Sequence, residues 1–227
     1  MLSKAQLKRF SSLKHKKNRI REGLFIVQGR KAFHDAAPYF ELVATIEAPS
    51  EIVKVTTLDA SPDIIGIFRI PDETPPLKIE DNEFAVVLDG IQDPGNLGTI
   101  IRTAHWFGVK KIFCSPDTVD VYNPKVVQAT MGSIAKVGVT YVPLEDLFHQ
   151  NPGKPVYGLL LEGEDIFTIE SLKPGFILMG SEGHGPSMKV KRLINVPLTI
   201  PPKDSNNHPD SLNVATATAI TLSQLLK

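Results

Sequence analysis

Apolar and polar positions along the chain follow two different patterns, one on each side of residue 71. Over residues 24–70, short apolar runs typical of strands flank one stretch of helical periodicity that follows Gly29. We predict strands at residues 24–27, 42–46, 53–57 and 64–70, and a helix that ends near Pro38. These elements indicate a small α/β unit at the front of the chain.

Beyond a proline-rich segment at residues 71–76, apolar strands alternate with helical patterns. The predicted strands are 84–88, 110–114, 137–142, 155–161, 176–179 and 194–200, and the predicted helices are 97–107, 124–134, 144–149, 187–193 and 212–226. Such alternation favours a mainly parallel α/β sheet with helices on both faces. We therefore predict an N-terminal domain at residues 1–72, a linker at 73–80 and a second domain at 81–227.

Positive charge is concentrated at the front of the chain, although Lys plus Arg and Asp plus Glu number 25 each. Residues 1–21 contain eight Lys or Arg and no acidic residue, which leaves 17 basic residues against 25 acidic ones in the remainder. Apolar residues recur at near-helical spacing over residues 3–20, which are predicted to form one basic amphipathic helix. Such a charge run is typical of a solvated helix, and it is also what phosphate contacts with a nucleic acid require.

Composition argues against several classes of protein. No apolar run approaches the roughly 20 residues needed to cross a bilayer, and no apolar signal-peptide core follows the basic N-terminus. Cys114 is the single cysteine, so an internal disulfide cannot form, which suits a reducing cytoplasm. With one cysteine and scattered histidines, we expect a cytoplasmic protein without a metal site.

Three segments that could carry chemistry each follow a predicted strand, at residues 89–108, 176–187 and 198–220. In open α/β sheets, ligands bind beyond the carboxyl ends of the strands. The segments lack both glycine patterns of the common nucleotide-binding sites, which argues against such sites. The candidate polar side chains in them are Asn96, Arg102, Glu182, Ser211 and Asn213.

These side chains also have purely structural interpretations. Asn96 and Ser211 each stand near the start of a predicted helix and could be its N-cap. Arg102 could be an exposed helix charge, as most arginines are. Glu182 and His184 could belong to a flexible, glycine-rich connection. The residues alone leave both interpretations open.

Taken in order, the three segments resemble the three signature motifs of the SpoU-TrmH methyltransferase family. The first matches the pattern N-x-G-x-x-x-R-x-A through Asn96, Gly98, Arg102 and Ala104. The second matches L-x-x-G-x-E-x-x-G in register through Ile177, Gly180, Glu182 and Gly185, with Leu178 beside the first position. The third carries Ile200-Pro201 and, further on, Ser211-Leu212-Asn213-Val214-Ala215. The resemblance covers residues 84–227, and residues 25–29 look like part of the family's small RNA-binding domain.

The resemblance implies S-adenosylmethionine-dependent methylation of a ribose 2′-hydroxyl in structured RNA, with ribosomal RNA favoured over transfer RNA. It also implies a C-terminal trefoil knot that holds the bent cofactor, and a homodimer in which each active site is completed at the subunit interface. The residues expected to form the polar active site are Asn96, Arg102, Glu182, Ser211 and Asn213. Those expected to contact the cofactor are Leu178, Met179, Gly180, Ile200, Pro202, Ser211 and Leu212. Those expected to bind RNA are Lys4, Lys8, Arg9, Lys14, Lys16, Lys17, Arg19 and Arg30.

The third segment departs from the family pattern. Pro202 occupies the position of a usual methionine, and residues 203–210 make the loop longer. Alternatives therefore stay open: a catalytically silent RNA-binding protein of the same fold, an RNA base methyltransferase, or an unrelated α/β enzyme. Because arginine stays protonated, we expect Arg102 to clamp a phosphate and favour a developing alkoxide rather than to act as the base.

Overall fold

The computed structural model describes residues 2–72, 76–204 and 207–226. The elements of its first part are α1 (Lys4–Ser11), a 3₁₀ turn (Ser12–Lys14), α2 (Lys16–Glu22), β1 (Leu24–Gln28), α3 (Arg30–Ala36), β2 (Leu42–Ile46), α4 (Pro49–Val55) and β3 (Ile65–Arg69). The strands form an antiparallel sheet in the order β1-β3-β2. Alternate side chains of β1 and β3 are buried on both faces of this sheet, because α1 and α4 cover one face and the rest of the protein covers the other.

The single helix predicted over residues 3–20 is wrong, because the chain breaks into α1, the 3₁₀ turn and α2. His15 has an extended backbone between them. Carbonyl groups at the break are hydrogen-bonded by side chains from α2: Asn18 donates to the carbonyl of Ser12, and Arg19 to those of Leu13 and Lys14. A helix can end where its last carbonyls find such partners.

The strand predicted at residues 53–57 is also wrong, because α4 occupies most of this segment. Pro49 stands in the first turn, where its missing N–H costs nothing, and Glu51 complements the positive end of the helix. Ile52 and Val55, three residues apart, are buried on one side. The apolar run was too short for its periodicity to distinguish a helix from a strand.

The second part contains the larger sheet. Its elements are β4 (Ala85–Asp89), α5 (Pro94–Trp106), β5 (Lys111–Cys114), α6 (Pro124–Ala129), β6 (Gly138–Tyr141), α7 (Leu144–His149), β7 (Val156–Asp165), β8 (Phe176–Gly180), α8 (Met188–Lys191), β9 (Val196–Thr199) and α9 (Val214–Leu225). The strand order is β6-β5-β4-β8-β7-β9, and neighbouring strands pair in parallel. The predicted mainly parallel α/β sheet with flanking helices is confirmed.

Both faces of the larger sheet are buried under helices. Val86 and Leu88 of β4 pack in a cluster with residues of α5, α6 and α9. Ala85 and Val87, on the opposite face, pack in a second cluster with residues of α7 and α8. Because all six strands point the same way, the loops that follow β4, β5, β8 and β9 leave the sheet at one side, which we call the carboxyl edge.

The predicted linker at residues 73–80 lies partly outside the described residues, which omit 73–75. Its far end is held to the larger sheet: Ile79 is buried, and its N–H donates a 3.0 Å hydrogen bond to Oδ1 of Asn151, just after α7. In the described part of the chain, no helix has the length and apolar character needed to span a membrane.

Close packing of α5 on α6 depends on Gly98. A Cβ atom at this position would lie 2.4 Å from Cβ of Ala129 and 2.7 Å from the carbonyl oxygen of Val126. We expect Gly98→Ala to force the helices apart and to lower the free energy of unfolding by about 1–3 kcal/mol, measured by urea denaturation. Thr99→Ala, at the exposed neighbouring position, is the control and should stay within about 0.5 kcal/mol of the wild type. Equal stability of the two variants would show that the contact between α5 and α6 does not require glycine at position 98.

Candidate active site

A hydrogen-bonded chain of three side chains joins the three motif segments at the carboxyl edge. Nδ2 of Asn213 donates to Oδ1 of Asn96 over 2.9 Å, and Nδ2 of Asn96 donates to Oε1 of Glu182. Asn96 lies on α5, Glu182 in the loop after β8, and Asn213 at the start of α9. We call these three residues the polar chain. Glu182 and Asn213 lie 86 and 117 positions after Asn96 in the sequence, so only the fold brings the three together.

The Asn96 side chain is available to the polar chain because another residue caps α5. The N-cap is Asp93, whose carboxylate accepts a 2.8 Å hydrogen bond from the backbone N–H of Asn96. The interpretation of Asn96 as the cap is therefore wrong. With Asp93 satisfying the helix end, the Asn96 amide is directed to Glu182 and Asn213.

Asn213 has two roles at the start of α9. Its Oδ1 caps the helix by accepting from the backbone N–H groups of Ala215 and Thr216, over 3.0 and 3.2 Å, while its Nδ2 donates to Asn96. The interpretation of Ser211 as the cap is therefore wrong. Ser211 is exposed two residues earlier, in the segment that leads into the helix.

Arg102 and Ser211, also predicted for the polar site, do not join the polar chain. Within the described ranges, no hydrogen bond or ion pair connects either side chain to it. Arg102 is exposed on α5, six residues after Asn96, which turns its side chain by about 120° around the helix axis. His184 is exposed in the loop after β8.

The residues predicted to contact a cofactor differ in what they can offer. Leu178 and Met179 lie inside β8 with buried side chains, so a ligand at the carboxyl edge could reach them only through their backbone groups. Gly180 ends the strand where the chain folds back, and a Cβ there would lie 2.1 Å from the backbone of Gly185. The remaining predicted contacts are half-buried or exposed at the same edge: Ile200, Pro202, Ser211 and Leu212.

A buried carboxylate that the sequence did not single out supports the loop after β8. Asp89, the last residue of β4, is 7% exposed, and its Oδ2 accepts a 2.7 Å hydrogen bond from the backbone N–H of Ser187. This bond ties the far end of the Glu182 loop to the neighbouring strand. The sequence does contain a signal for Asp89: it is an acidic residue at the end of an apolar strand, where ligand-binding loops begin.

The positive charges at the front of the chain are partly paired. Residues 4–22, which we call the basic arm, carry exposed lysines at positions 4, 8, 14, 16 and 17. Arg9 forms an ion pair with Glu22, and the pKa of this carboxyl is lowered by the guanidinium groups of Arg21 and then Arg9. Arg30 likewise holds the pKa of Asp63 below its ordinary value.

Arg19 does not fit the RNA-binding role predicted for it. Its side chain is 2% exposed, and its guanidinium donates to Asp120 and to two backbone carbonyls, so it has no surface left for a phosphate. The sequence could not reveal this, because Asp120 lies 101 residues further along the chain.

Two surface clefts lie away from the polar chain. One is lined by Phe107, Phe167 and residues of α9, and the other lies at the amino ends of β4 and β5. Neither cleft is lined by Asn96, Glu182 or Asn213, so both clefts are separate from the polar chain. Across the described residues, no group of three or more His, Cys, Asp or Glu is arranged to hold a metal ion.

Comparison with known proteins matches residues 83–223 to the SpoU rRNA Methylase family. The chain is 26% identical to the 23S rRNA (guanosine(2553)-2'-O)-methyltransferase RlmP of Bacillus subtilis, over 95% of this chain and 93% of that protein. A TrmH-family structure from Porphyromonas gingivalis is 33% identical, with a TM-score of 0.87, over 99% of this chain and 98% of that one. An AdoMet-bound rRNA methyltransferase from Sinorhizobium meliloti is 29% identical, with a TM-score of 0.88, over 99% and 95%. The chain therefore belongs to the SpoU rRNA methylase family, which confirms the resemblance found in its sequence.

The two roles of Asn213 can be separated by substitution. Asn213→Ser keeps a capping oxygen but is too short to reach Asn96, so we expect it to retain the stability of the wild type. Asn213→Ala loses the cap as well, and we expect the free energy of unfolding to fall by about 1 kcal/mol. Methyl transfer should fall by a similar factor in both variants, because both lose the bond to Asn96. Denaturant unfolding and a methylation assay measure the two effects, and normal activity of Asn213→Ser would contradict a role for the polar chain.

Proposed function

We propose that this chain transfers a methyl group from S-adenosylmethionine to a ribose 2′-hydroxyl of structured RNA, with ribosomal RNA preferred over transfer RNA. The observation that carries the proposal is the polar chain, which joins one side chain from each of the three motif segments. Similarity to RlmP, a 23S rRNA 2'-O-methyltransferase, extends over 93% of that protein and supports both the reaction and the class of RNA.

The carboxyl edge has features that suit the cofactor. S-adenosylmethionine supplies a methyl group activated by its positively charged sulfur. Leu212 is 47% exposed next to the polar chain, where an apolar partner such as an adenosine would cover it. The residues proposed to hold the cofactor are Gly180, Ile200, Pro202, Ser211 and Leu212, with Leu178 and Met179 contributing backbone groups.

Arg102 is proposed to bind the phosphate beside the reacting ribose and to stabilise the negative charge that develops on its 2′-oxygen. A guanidinium keeps its proton near neutral pH, so the hydroxyl proton leaves to another group or to water. Asn96 and Glu182, already bonded to each other, are proposed to orient the ribose. Ser211 and Asn213 would hold the third segment against them.

A homodimer is proposed to bring Arg102 to the reacting ribose. Arg102 and Trp106 are four residues apart on α5, so their side chains lie on the same face of the helix. Trp106 is 85% exposed, which is unusual for the largest apolar side chain. A second copy that covers this face would bury Trp106 and place the partner's polar chain within reach of Arg102.

We also propose that the segments after β8 and β9 form a trefoil knot around the cofactor. The strand order supports it: the chain leaves β8, crosses beyond β7 to β9, and returns as α9 to the side of α5. Leu222 of α9 is buried in the same cluster as Ile100 of α5. The returning segment thus passes the Glu182 loop, where Asn213 reaches Asn96.

The front of the chain is proposed to bind the RNA. Residues 1–72 would form the RNA-binding domain, 73–80 the linker and 81–227 the methyltransferase domain. The exposed lysines of the basic arm, together with Arg9 and Arg30, would contact phosphates, whereas Arg19 is withdrawn from this set because it is buried.

The test of this function is methylation of a defined RNA. The protein is incubated with tritiated S-adenosylmethionine and a transcript of bacterial 23S ribosomal RNA, and then with a transfer RNA pool as comparison. Labelled nucleotides that resist alkaline cleavage at their 3′ side carry a 2′-O-methyl group. Label on a base would favour the base methyltransferase, and no label on either RNA, with RNA still bound, would favour the catalytically silent protein.

Replacement of Arg102 is expected to remove transition-state stabilisation and little else. Arg102→Ala should lower the rate of methyl transfer by about 100- to 1000-fold, as loss of one charge-stabilising donor does in other enzymes. Its melting temperature and its affinity for S-adenosylmethionine should match the wild type. Arg69→Ala, which removes an exposed arginine on β3, is the control and should methylate normally. Normal methylation by Arg102→Ala would overturn the assignment.

Replacement of Trp106 tests the dimer. We expect Trp106→Asp to sediment as a monomer, because it places a charge at the centre of the proposed apolar contact. The monomer should bind S-adenosylmethionine yet methylate poorly, since Arg102 would lack its partner. Val53→Asp, at an exposed apolar position of α4, should leave the sedimentation of the wild type unchanged. A wild-type protein that sediments as a monomer would contradict the proposal.

A further inference from the structure

One loop contacts both the basic arm and the segment that leads into the polar chain. It consists of residues 115–123, between β5 and α6, and we call it the β5–α6 loop. Like the loop after β4, it leaves the sheet at the carboxyl edge. The β5–α6 loop therefore lies between the basic arm and the carboxyl edge.

On the side of the basic arm, the contact is a buried ion pair. Nε and Nη2 of Arg19 donate to Oδ2 of Asp120 over 2.9 and 2.6 Å. Nη1 of the same guanidinium donates to the carbonyls of Leu13 and Lys14. One side chain thus joins the 3₁₀ turn, α2 and the β5–α6 loop. The side chains are only 2% and 16% exposed, unlike those of the Arg30–Asp63 pair, which are 56% and 52% exposed.

Aromatic packing next to this ion pair restricts the loop further. The rings of Phe25 and Tyr122 have centroids 4.8 Å apart. Burial, together with the charge of Asp120, raises the pKa of Tyr122 to about 12. The backbone N–H of Tyr122 donates to Oδ1 of Asp120, so both oxygens of this carboxylate are engaged.

On its other side, the same loop is held to Tyr141 of β6 and to the segment after β4. The hydroxyl of Tyr141 donates to the carbonyl of Val119 and accepts from the N–H of Val121, over 2.6 and 2.7 Å. The N–H of Val119 donates to the carbonyl of Ile91 over 2.8 Å. Ile91 stands two residues before Asp93, the cap that directs Asn96 into the polar chain. Hydrogen bonds, together with short stretches of backbone between them, therefore connect Arg19 to Asn96.

We propose that the Arg19–Asp120 ion pair is a positioning contact, which fixes the lysines of the basic arm at one distance from the polar chain and so selects the nucleotide that is methylated. This inference rests on the proposed function. A buried ion pair gives little net stability compared with apolar residues, but the loss of one partner leaves a charge that must move to reach water. Loss of either partner therefore lets the arm shift, and a misplacement of about 1 Å is enough to slow a reaction severely.

Distances between spin labels test the docking without any RNA. Cys114 is buried, and burial raises the pKa of its thiol, so it stays unlabelled while cysteines introduced as Lys8→Cys on the arm and Lys189→Cys on α8 react. Pulsed electron paramagnetic resonance should give one narrow distance distribution for the otherwise wild-type protein. Asp120→Asn and Arg19→Met should broaden it, and Arg30→Met, at the exposed pair, should not. A distribution that stays narrow in both variants overturns the proposal.

Methylation of the 23S transcript tests the consequence. Asp120→Asn, the milder substitution, should keep the wild-type affinity for S-adenosylmethionine and for the transcript. Its single-turnover rate at the preferred nucleotide should fall about tenfold or more, with label spreading to neighbouring nucleotides. An unchanged rate and site, despite a broadened distribution, would also overturn the positioning role. If the wild type methylates no RNA, the proposed function fails, while the label distances still decide whether the ion pair docks the arm.

Discussion

The common direction of the six strands in the larger sheet is the constraint on which the site depends. Parallel strands are joined by long crossover connections, so each strand begins at the same edge of the sheet. Every loop that follows a strand therefore lies at the opposite, carboxyl edge. Asn96, Glu182 and Asn213 lie on the three segments that follow β4, β8 and β9, and Asn96 is hydrogen-bonded to both of the others. A separate hydrogen bond to the backbone holds each segment in place. Asp93 caps α5 at Asn96, Asp89 accepts from the loop that contains Glu182, and Asn213 caps α9. The polar chain is therefore built by the fold before any substrate arrives.

Much of this fold could be predicted from the sequence because its signals are local. The strands of the larger sheet are short apolar runs, and five of the six were located to within two residues at each end, while β7 extends four residues beyond its predicted end. The three motif segments were found because each follows such a strand. Their order then gave the family, which the comparisons confirm. The same local signals failed at α4, where a short run of Val and Ile is equally compatible with either element.

The details that could not be predicted depend on contacts between distant residues. Asn96 and Ser211 were plausible caps, yet Asp93 and Asn213 perform that task. The cap by Asp93 leaves the Asn96 amide to Glu182 and Asn213, and α9 begins two residues after its predicted start at residue 212. Arg19 looked like the other cations of the basic arm until the fold brought Asp120 against it. The Arg102 side chain lies outside the polar chain, which is why we propose that it acts across a homodimer interface.

Calorimetric titration of the purified protein with S-adenosylmethionine tests whether the loops of the carboxyl edge hold the cofactor. We expect saturable binding of one cofactor per chain. We also expect much weaker binding after Leu212→Asp, because this change puts a charge where the apolar contact is proposed. No heat of binding in the wild type, with or without RNA, would show that the carboxyl edge does not hold this cofactor.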